Sequence, residues 1–171
     1  MRMANPNKPS KTKMGILKLI LLSAFVVVTY QDIKDRFVHW FLFPVIGLCT
    51  GVLLYQNVSS SLFLETVLVN LGFIGLLIGV IFLYATYQLK MKLLDAFGLG
   101  DGLLFVALVF SFKSLPFLIV FVFGLVFSLG LHLVLKKTKS ETVPLAGYMS
   151  LFFALTYSAH WLGFITAIYT L

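Results

Sequence analysis

The sequence has little charge for its length. Lys, Arg, Asp and Glu together make up 11% of its 171 residues, whereas hydrophobic residues make up 60%. A soluble domain carries about 25% charged residues and about 45–50% apolar ones. Because a core of this size cannot hide so much apolar surface, we expect lipid to be the solvent for most of the chain. The length predicts one bundle rather than two domains.

Cysteine and histidine are also scarce. The single cysteine, Cys49, excludes an internal disulfide framework and a four-cysteine zinc site. The three histidines, His39, His132 and His160, lie far apart in the sequence without neighbouring ligands. We therefore expect no metal and no cofactor.

The formal net charge of +7 raises the question of nucleic-acid binding. The basic residues, however, form short clusters between apolar segments and are not interleaved with aromatic residues. Such clusters indicate membrane topology and contact with anionic lipid. We predict a lipid bilayer as the partner of this surface, and no nucleic acid.

Six apolar stretches predict membrane spans, since a helix needs about 20 residues to cross the hydrocarbon layer. They cover about 15–31, 38–55, 62–86, 98–112, 115–135 and 144–169. Residues 1–13 are polar and basic, which predicts a flexible tail before a single domain at 14–171. The first stretch lacks a small-residue cleavage site and is interpreted as a retained span. The fold class predicted is an all-α integral membrane protein, a bundle of about six transmembrane helices.

The distribution of Lys and Arg predicts the orientation of this bundle. Basic residues follow the first, third and fifth spans: Lys34, Arg36, Lys90, Lys92, Lys136, Lys137 and Lys139. The positive-inside rule places these loops in the cytoplasm. The basic tail would then lie outside, which the same rule disfavours, but the three loops agree with one another.

Small residues recur four apart in two of the spans. Gly47 and Gly51 form one strip, and Gly75 and Gly79 form another. On a helix this spacing lets a second backbone approach closely. Packing within one chain and packing between chains both fit, so the oligomeric state stays open.

Two aspartates at predicted membrane boundaries are the residues of the chain that could carry chemistry. Asp32 follows the first span and Asp101 opens the fourth, so the predicted topology places both at the same side and at similar depth. An ionisable group at such a boundary is costly and is usually kept for a pathway or a reaction. We predict that the two carboxylates form one site.

Two carboxylates in such a site cannot comfortably both ionise, so we expect them to share a proton. The ionised partner could deprotonate a water while the protonated partner polarises a carbonyl, which is general acid–base hydrolysis of an amide. Gly98 and Gly100, before Asp101, permit unusual backbone angles and close approach of a substrate strand. Irregular backbone of this kind would line a wet cavity.

Each aspartate also has a purely structural interpretation. Asp32 lies near Lys34 and Arg36, as a solvated, salt-bridged loop residue would. Asp101 follows glycines, as an acid in a turn or at a helix N-terminus would. The case for function depends on the two aspartates acting together.

The sequence around both aspartates resembles the type IV prepilin peptidases. The segment from Gln31 to Val38 is similar to the block after their first helix, and Gly98-Leu99-Gly100-Asp101 matches their GxGD motif. A weaker similarity lies at Pro144-Leu145-Ala146-Gly147-Tyr148. The resemblance is to the short, preflagellin-type members, and presenilin-like GxGD proteins match less well.

The resemblance implies a membrane aspartic endopeptidase with Asp32 and Asp101 as the catalytic pair and Gly98, Gly100, Lys34, Arg36 and Pro144 in support. Its substrates would be pilin-like precursors, cut at the cytoplasmic face of a bacterial inner membrane. Many members carry Lys where this chain has Leu103. Nothing here resembles the cysteine-containing insert of the methylating members, which implies cleavage without methylation.

A different class of function uses the same residues. Paired membrane carboxylates also serve proton- or ion-coupled transport. Transporters of this size more often carry charges near the bilayer middle and show an internal repeat. We find no repeat and both aspartates at span ends, so transport is the alternative.

Overall fold

A computed structural model describes residues 11–89, 98–135, 143–165 and Tyr169. Within these residues every regular element is a helix, as predicted. The helices are α1 (Lys11–Asp35), α2 (Leu42–Asn57), α3 (Ser60–Tyr84, continued by a π turn at Ala85–Leu89), α4 (Leu99–Leu108), α5 (Ser114–Leu135) and α6 (Leu145–Trp161). Most of the predicted tail lies outside the described residues, as do the predicted topology signals Lys90, Lys92, Lys136, Lys137 and Lys139.

The helices differ in their ability to cross a bilayer. Among the described residues, three stretches are long and apolar enough, at Thr12–Asp35, Ser60–Tyr87 and Ser114–Leu135, as in a helical membrane protein. By contrast, α2 has 16 residues, α6 has 17 and α4 only 10. At 1.5 Å per residue, α4 is about 15 Å long, roughly half of the hydrocarbon thickness. The predicted fourth span at 98–112 is therefore a half-length helix followed by a turn at 109–112.

An aromatic cluster holds α1, α6 and the end of α4 together. The ring of Phe25 on α1 lies 6.4 Å from that of Phe153 on α6, and the rings of Phe112 and Tyr157 are 4.9 Å apart. All four side chains are completely buried. Aromatic pairs at such separations stabilise a core beyond the area they bury. Through this cluster α4 is anchored to the α1–α6 pair, which is the most extensive helix pair of the bundle.

The two glycine strips have different surroundings. A Cβ atom at Gly47 would lie 3.6 Å from the Cα of Ala107, so this strip lets the backbones of α2 and α4 approach closely. Cβ atoms at Gly75 and Gly79 would meet nothing within 4 Å in the described part of the chain. Among the described residues, packing within the chain therefore accounts for the first strip and not for the second.

Candidate active site

Asp32 lies near the end of α1 and contacts the beginning of α6. Its half-buried carboxylate accepts a hydrogen bond from the backbone N–H of Gly147. One turn earlier on α1, the Thr29 hydroxyl donates to the carbonyl of the same glycine, 3.1 Å away. A Cβ at Gly147 would lie 3.1 Å from the Asp32 Cβ and 3.3 Å from the Thr29 carbonyl oxygen. Only glycine lets α1 and α6 approach this closely without a shift of one of them.

Asp101 is the third residue of α4 and faces the same turn of α6. Its half-buried carboxylate lies against the backbone amides of Ala146 and Gly98, and it interacts electrostatically with Asp32. Ala146 directly precedes Gly147, and consecutive Cα atoms are about 3.8 Å apart. The two carboxylates therefore lie side by side, and the predicted meeting of Asp32 and Asp101 is present in the structure.

The first turn of α6 supplies a backbone donor to each carboxylate. Pro144 is buried at the N-cap position, with φ −76°, and accepts a hydrogen bond from the Tyr148 N–H. The first N–H groups of a helix have no partner inside the helix, and they form its positive end. The amides of Ala146 and Gly147 use this freedom to bind an anionic pair. Pro144 opens the helix that carries both donors, and its supporting role in the site stays a prediction.

The sequence analysis missed Ala146 and Gly147 as functional groups. Their contribution is made by the backbone, so no side-chain type marks it. A signal was present nonetheless: a proline that opens a helix at the same predicted membrane boundary, with a glycine three residues later. Anion binding at a helix N-terminus follows from those two features once the end of α1 and the beginning of α4 are known to meet there.

The expectation of irregular backbone at Gly98 and Gly100 is wrong. Gly98 is the N-cap of α4 with φ −61°, and Gly100 lies inside its first turn. Among the described glycines only Gly163 has a positive φ. The segment is helical because Asp101 occupies the third helical position, where a carboxylate can reach back to the N-cap amide. A Cβ at Gly98 would lie 3.2 Å from Asp101 Oδ2, whereas one at Gly100 would make an ordinary 3.8 Å contact with Phe43.

The two predicted basic residues occupy different places. The Arg36 guanidinium acts electrostatically on Asp32, and its backbone, with φ 54°, ends α1 in the left-handed conformation. Lys34 instead donates to the Tyr30 hydroxyl, 2.9 Å away, and its ammonium lies 5.1 Å from the centre of that ring. Arg36 therefore belongs to the site, and Lys34 is directed along the outside of α1.

An apolar groove of about 650 Å³ runs along α4. It is formed by α2, α4 and the beginning of α3, and its lining includes Phe43, Leu103, Phe110 and Tyr55. Leu103 is two residues from Asp101, and Phe43 is the neighbour of Gly100. Because residues two apart on a helix point to nearly opposite faces, the groove follows a different face of α4 from the one that carries Asp101.

No group of three His, Cys, Asp or Glu side chains that could hold a metal ion occurs in the part of the chain that the structure describes. Comparison with known proteins finds no family model, no curated protein and no solved structure that matches the chain. The resemblance to the prepilin peptidases therefore depends on the motif residues themselves. What the arrangement can do has to be argued from its chemistry.

Proposed function

We propose that the protein is a membrane aspartic endopeptidase that uses Asp32 and Asp101 to remove the leader of pilin-like precursors. One observation carries the proposal: two carboxylates from distant parts of the chain lie side by side at the first turn of α6. The resemblance in the segments around Asp32 and Asp101 supplies the substrate class. It also implies cleavage at the cytoplasmic face of a bacterial inner membrane, without methylation of the product.

Structural roles explain each aspartate separately but not their proximity. A capping interaction accounts for Asp101 next to the Gly98 amide, and a nearby Arg36 accounts for Asp32. Neither role requires the two like charges to be adjacent, and adjacency of like charges is unfavourable. An aspartic peptidase does require it, because the reaction needs one acid and one base within reach of one water.

The reaction follows from a pair that holds one proton. The ionised carboxylate accepts a proton from a water, and the water oxygen bonds to the carbonyl carbon of the scissile amide. The protonated carboxyl gives its proton to the carbonyl oxygen, which yields a neutral tetrahedral diol. When the C–N bond breaks, the amide nitrogen takes a proton from the protonated carboxyl and leaves as an amine. One diol hydroxyl gives its proton to the ionised carboxylate, which yields the product carboxylic acid and restores a pair that holds one proton. The backbone amides of Ala146 and Gly147 hold both carboxylates in place throughout.

This mechanism predicts a rate optimum in pH. Removal of the shared proton leaves no acid, and addition of a second proton leaves no base, so kcat/KM should fall on both sides of the optimum. Initial cleavage rates measured across a pH series at constant ionic strength test this. A rate that stays constant toward low pH would exclude an ionised carboxylate as the base.

The surroundings of the pair suit the proposed substrate. A pilin-like precursor is cut next to an apolar helix, and the groove lined by Leu103 and Phe43 offers apolar surface along α2 and α4. A substrate segment in this groove would approach the carboxylates from the side of α2 and α4. Leu103, where many prepilin peptidases carry Lys, makes this surface more apolar in the present chain.

The decisive experiment is cleavage of a pilin-like precursor from the same genome, co-expressed with the protein and followed by gel shift. Asp32→Asn and Asp101→Asn should each abolish cleavage at matched membrane levels. Asp35→Asn is the matched control, because Asp35 is an exposed carboxylate at the end of the same helix, and it should cleave like the parent. Mass spectrometry of the new N-terminus tests the absence of methylation.

Other outcomes would change the assignment. Cleavage that survives both substitutions would remove the pair from the mechanism. If the parent cuts no pilin-like precursor, proton-coupled transport becomes the leading hypothesis. It is then measured as proton flux into liposomes containing the parent and the two variants.

A further inference from the structure

The far end of α4 terminates inside the bundle. Its last residue is Leu108, and the turn that follows is completely or almost completely buried at Val109, Ser111 and Phe112. Ser111 donates its N–H and its hydroxyl to the Leu108 carbonyl, but the carbonyl groups of the turn itself lie beyond the hydrogen-bond ladder of α4. In an apolar interior each unsatisfied carbonyl is strongly unfavourable, so this end needs donors from elsewhere.

Asn70 on α3 supplies two of these donors from one amide group. Its Nδ2 lies 2.9 Å from the Val109 carbonyl oxygen and 3.0 Å from that of Phe112. Tyr157 on α6 adds a third, because its hydroxyl donates to the Ser111 carbonyl at 3.1 Å. The turn at 109–112 is thereby fastened to α3 on one side and to α6 on the other.

Asn70 is used as a donor only. Its side chain is 1% exposed, and its Oδ1 has no hydrogen-bond partner in the described residues. A buried acceptor without a partner costs free energy. An apolar side chain would avoid that cost but would leave two carbonyls without donors. Asn70 therefore satisfies two carbonyl groups at the end of α4 and leaves one acceptor of its own unpaired.

We propose that Asn70 is a positioning residue for Asp101. α4 is a single short helix of about 15 Å, with Asp101 in its first turn and the Asn70 contacts just beyond its last. Holding the far end fixes the tilt and the axial position of α4, and therefore the place of the Asp101 carboxylate relative to Asp32. Asn70 touches neither carboxylate, and its effect passes through α4. The catalytic consequence rests on the proposed peptidase function, whereas the geometric one does not.

The first test measures catalysis. Asn70→Asp keeps the shape of the side chain and replaces the bridging amide, and it should lower kcat per folded molecule about tenfold or more, because small misplacements of reacting groups are costly. KM should change less than about twofold, since the groove is intact. The matched control is Asn57→Asp, because Asn57 is exposed and donates only to Leu53 in its own helix. A loss of folded protein with unchanged kcat per folded molecule would overturn the proposal.

The second test needs no activity. In a Cys49→Ala background, the double variant Asp32→Cys/Asp101→Cys should be cross-linked in high yield by a thiol reagent with a short spacer. Adding Asn70→Asp should lower this yield several-fold, and adding Asn57→Asp should not. An unchanged yield overturns the positioning role. A lowered yield, together with a parent protein that cuts no precursor, would reject the peptidase and retain the positioning role.

A milder variant covers the case in which Asn70→Asp does not fold. Tyr157→Phe keeps the aromatic ring and removes the hydroxyl that donates to the Ser111 carbonyl. It should lower the cross-linking yield in the same direction but by less. If this yield equals that of the parent, the far end of α4 does not position Asp101.

Discussion

The two ends of α4 lie only about 15 Å apart and have opposite surroundings. The near end holds Asp101 beside Asp32 and the amides of α6, in a half-buried position where groups that change charge can meet water. The far end is almost completely buried, and neutral donors from Asn70 and Tyr157 satisfy its carbonyls. The near end therefore suits catalysis, whereas the far end suits holding α4 in a fixed position. Substitutions at the two ends should separate activity from stability.

The largest effect is expected at the near end. Asp32→Asn and Asp101→Asn should each lower kcat/KM by at least about 10²-fold without lowering the unfolding midpoint in detergent. Because the two groups act as one unit, the double variant should lose no more activity than either single variant. Losses that multiply in the double variant would indicate two independent contributions and contradict a shared site.

Substitutions at the far end of α4 should mainly lower the stability of the protein. Phe112→Ala removes a completely buried ring that packs against Phe153 and Tyr157, and it should lower the free energy of unfolding by about 3–5 kcal/mol. Chemical unfolding in detergent micelles measures this. The matched control is Leu103→Ala on α4 itself, where the side chain is 43% exposed and the expected loss is under about 1 kcal/mol. Equal losses would contradict the contrast between the two ends.

The effect expected at Gly147 combines packing and catalysis, because Gly147 contacts both α1 and the Asp32 carboxylate. Gly147→Ala places a Cβ 3.1 Å from Asp32 Oδ2, and the displaced carboxylate should lower kcat about tenfold. Gly130→Ala is the control, since a Cβ there meets nothing within 4 Å. Initial rates at saturating precursor give the comparison. Equal rates for the two variants would show that α1 and α6 adjust to the extra atom.

The smallest effect is expected on the outer face of α1. Tyr30→Phe removes the hydrogen bond from Lys34 while keeping the ring. Both side chains are exposed, so stability should stay within about 0.5 kcal/mol of the parent and cleavage should be unchanged. A clear loss of cleavage would return Lys34 to the site, where the resemblance placed it.

Helix content and the meeting of the aspartates could be predicted because both depend on local pattern. Apolar runs of the right length predict helices, and boundary positions at the same membrane side predict that Asp32 and Asp101 meet. The half-length of α4 could not be predicted from hydropathy, which averages over residues 98–112 without detecting where the helix stops. That stop depends on donors that are 39–46 residues away in the sequence.

The surroundings of the glycines are a second feature that the sequence does not predict. Spacing alone does not distinguish Gly47 and Gly51, which pack against α4, from Gly75 and Gly79, which meet nothing in the described residues. The glycines before Asp101 were expected to distort the backbone. They lie instead at a regular helix start, because the carboxylate at the third helical position favours that conformation.

The donors in the first turn of α6 have a consequence for when the site is assembled during synthesis. Residues 145–147 are synthesised last among the parts of the site, after Asp32 and Asp101 have already left the ribosome. A nascent or truncated chain that ends before Pro144 carries both acids but has no α6 to hold them together. The two carboxylates are therefore held together only after α6 has been made and has packed against α1, so the order of synthesis sets when the site is assembled.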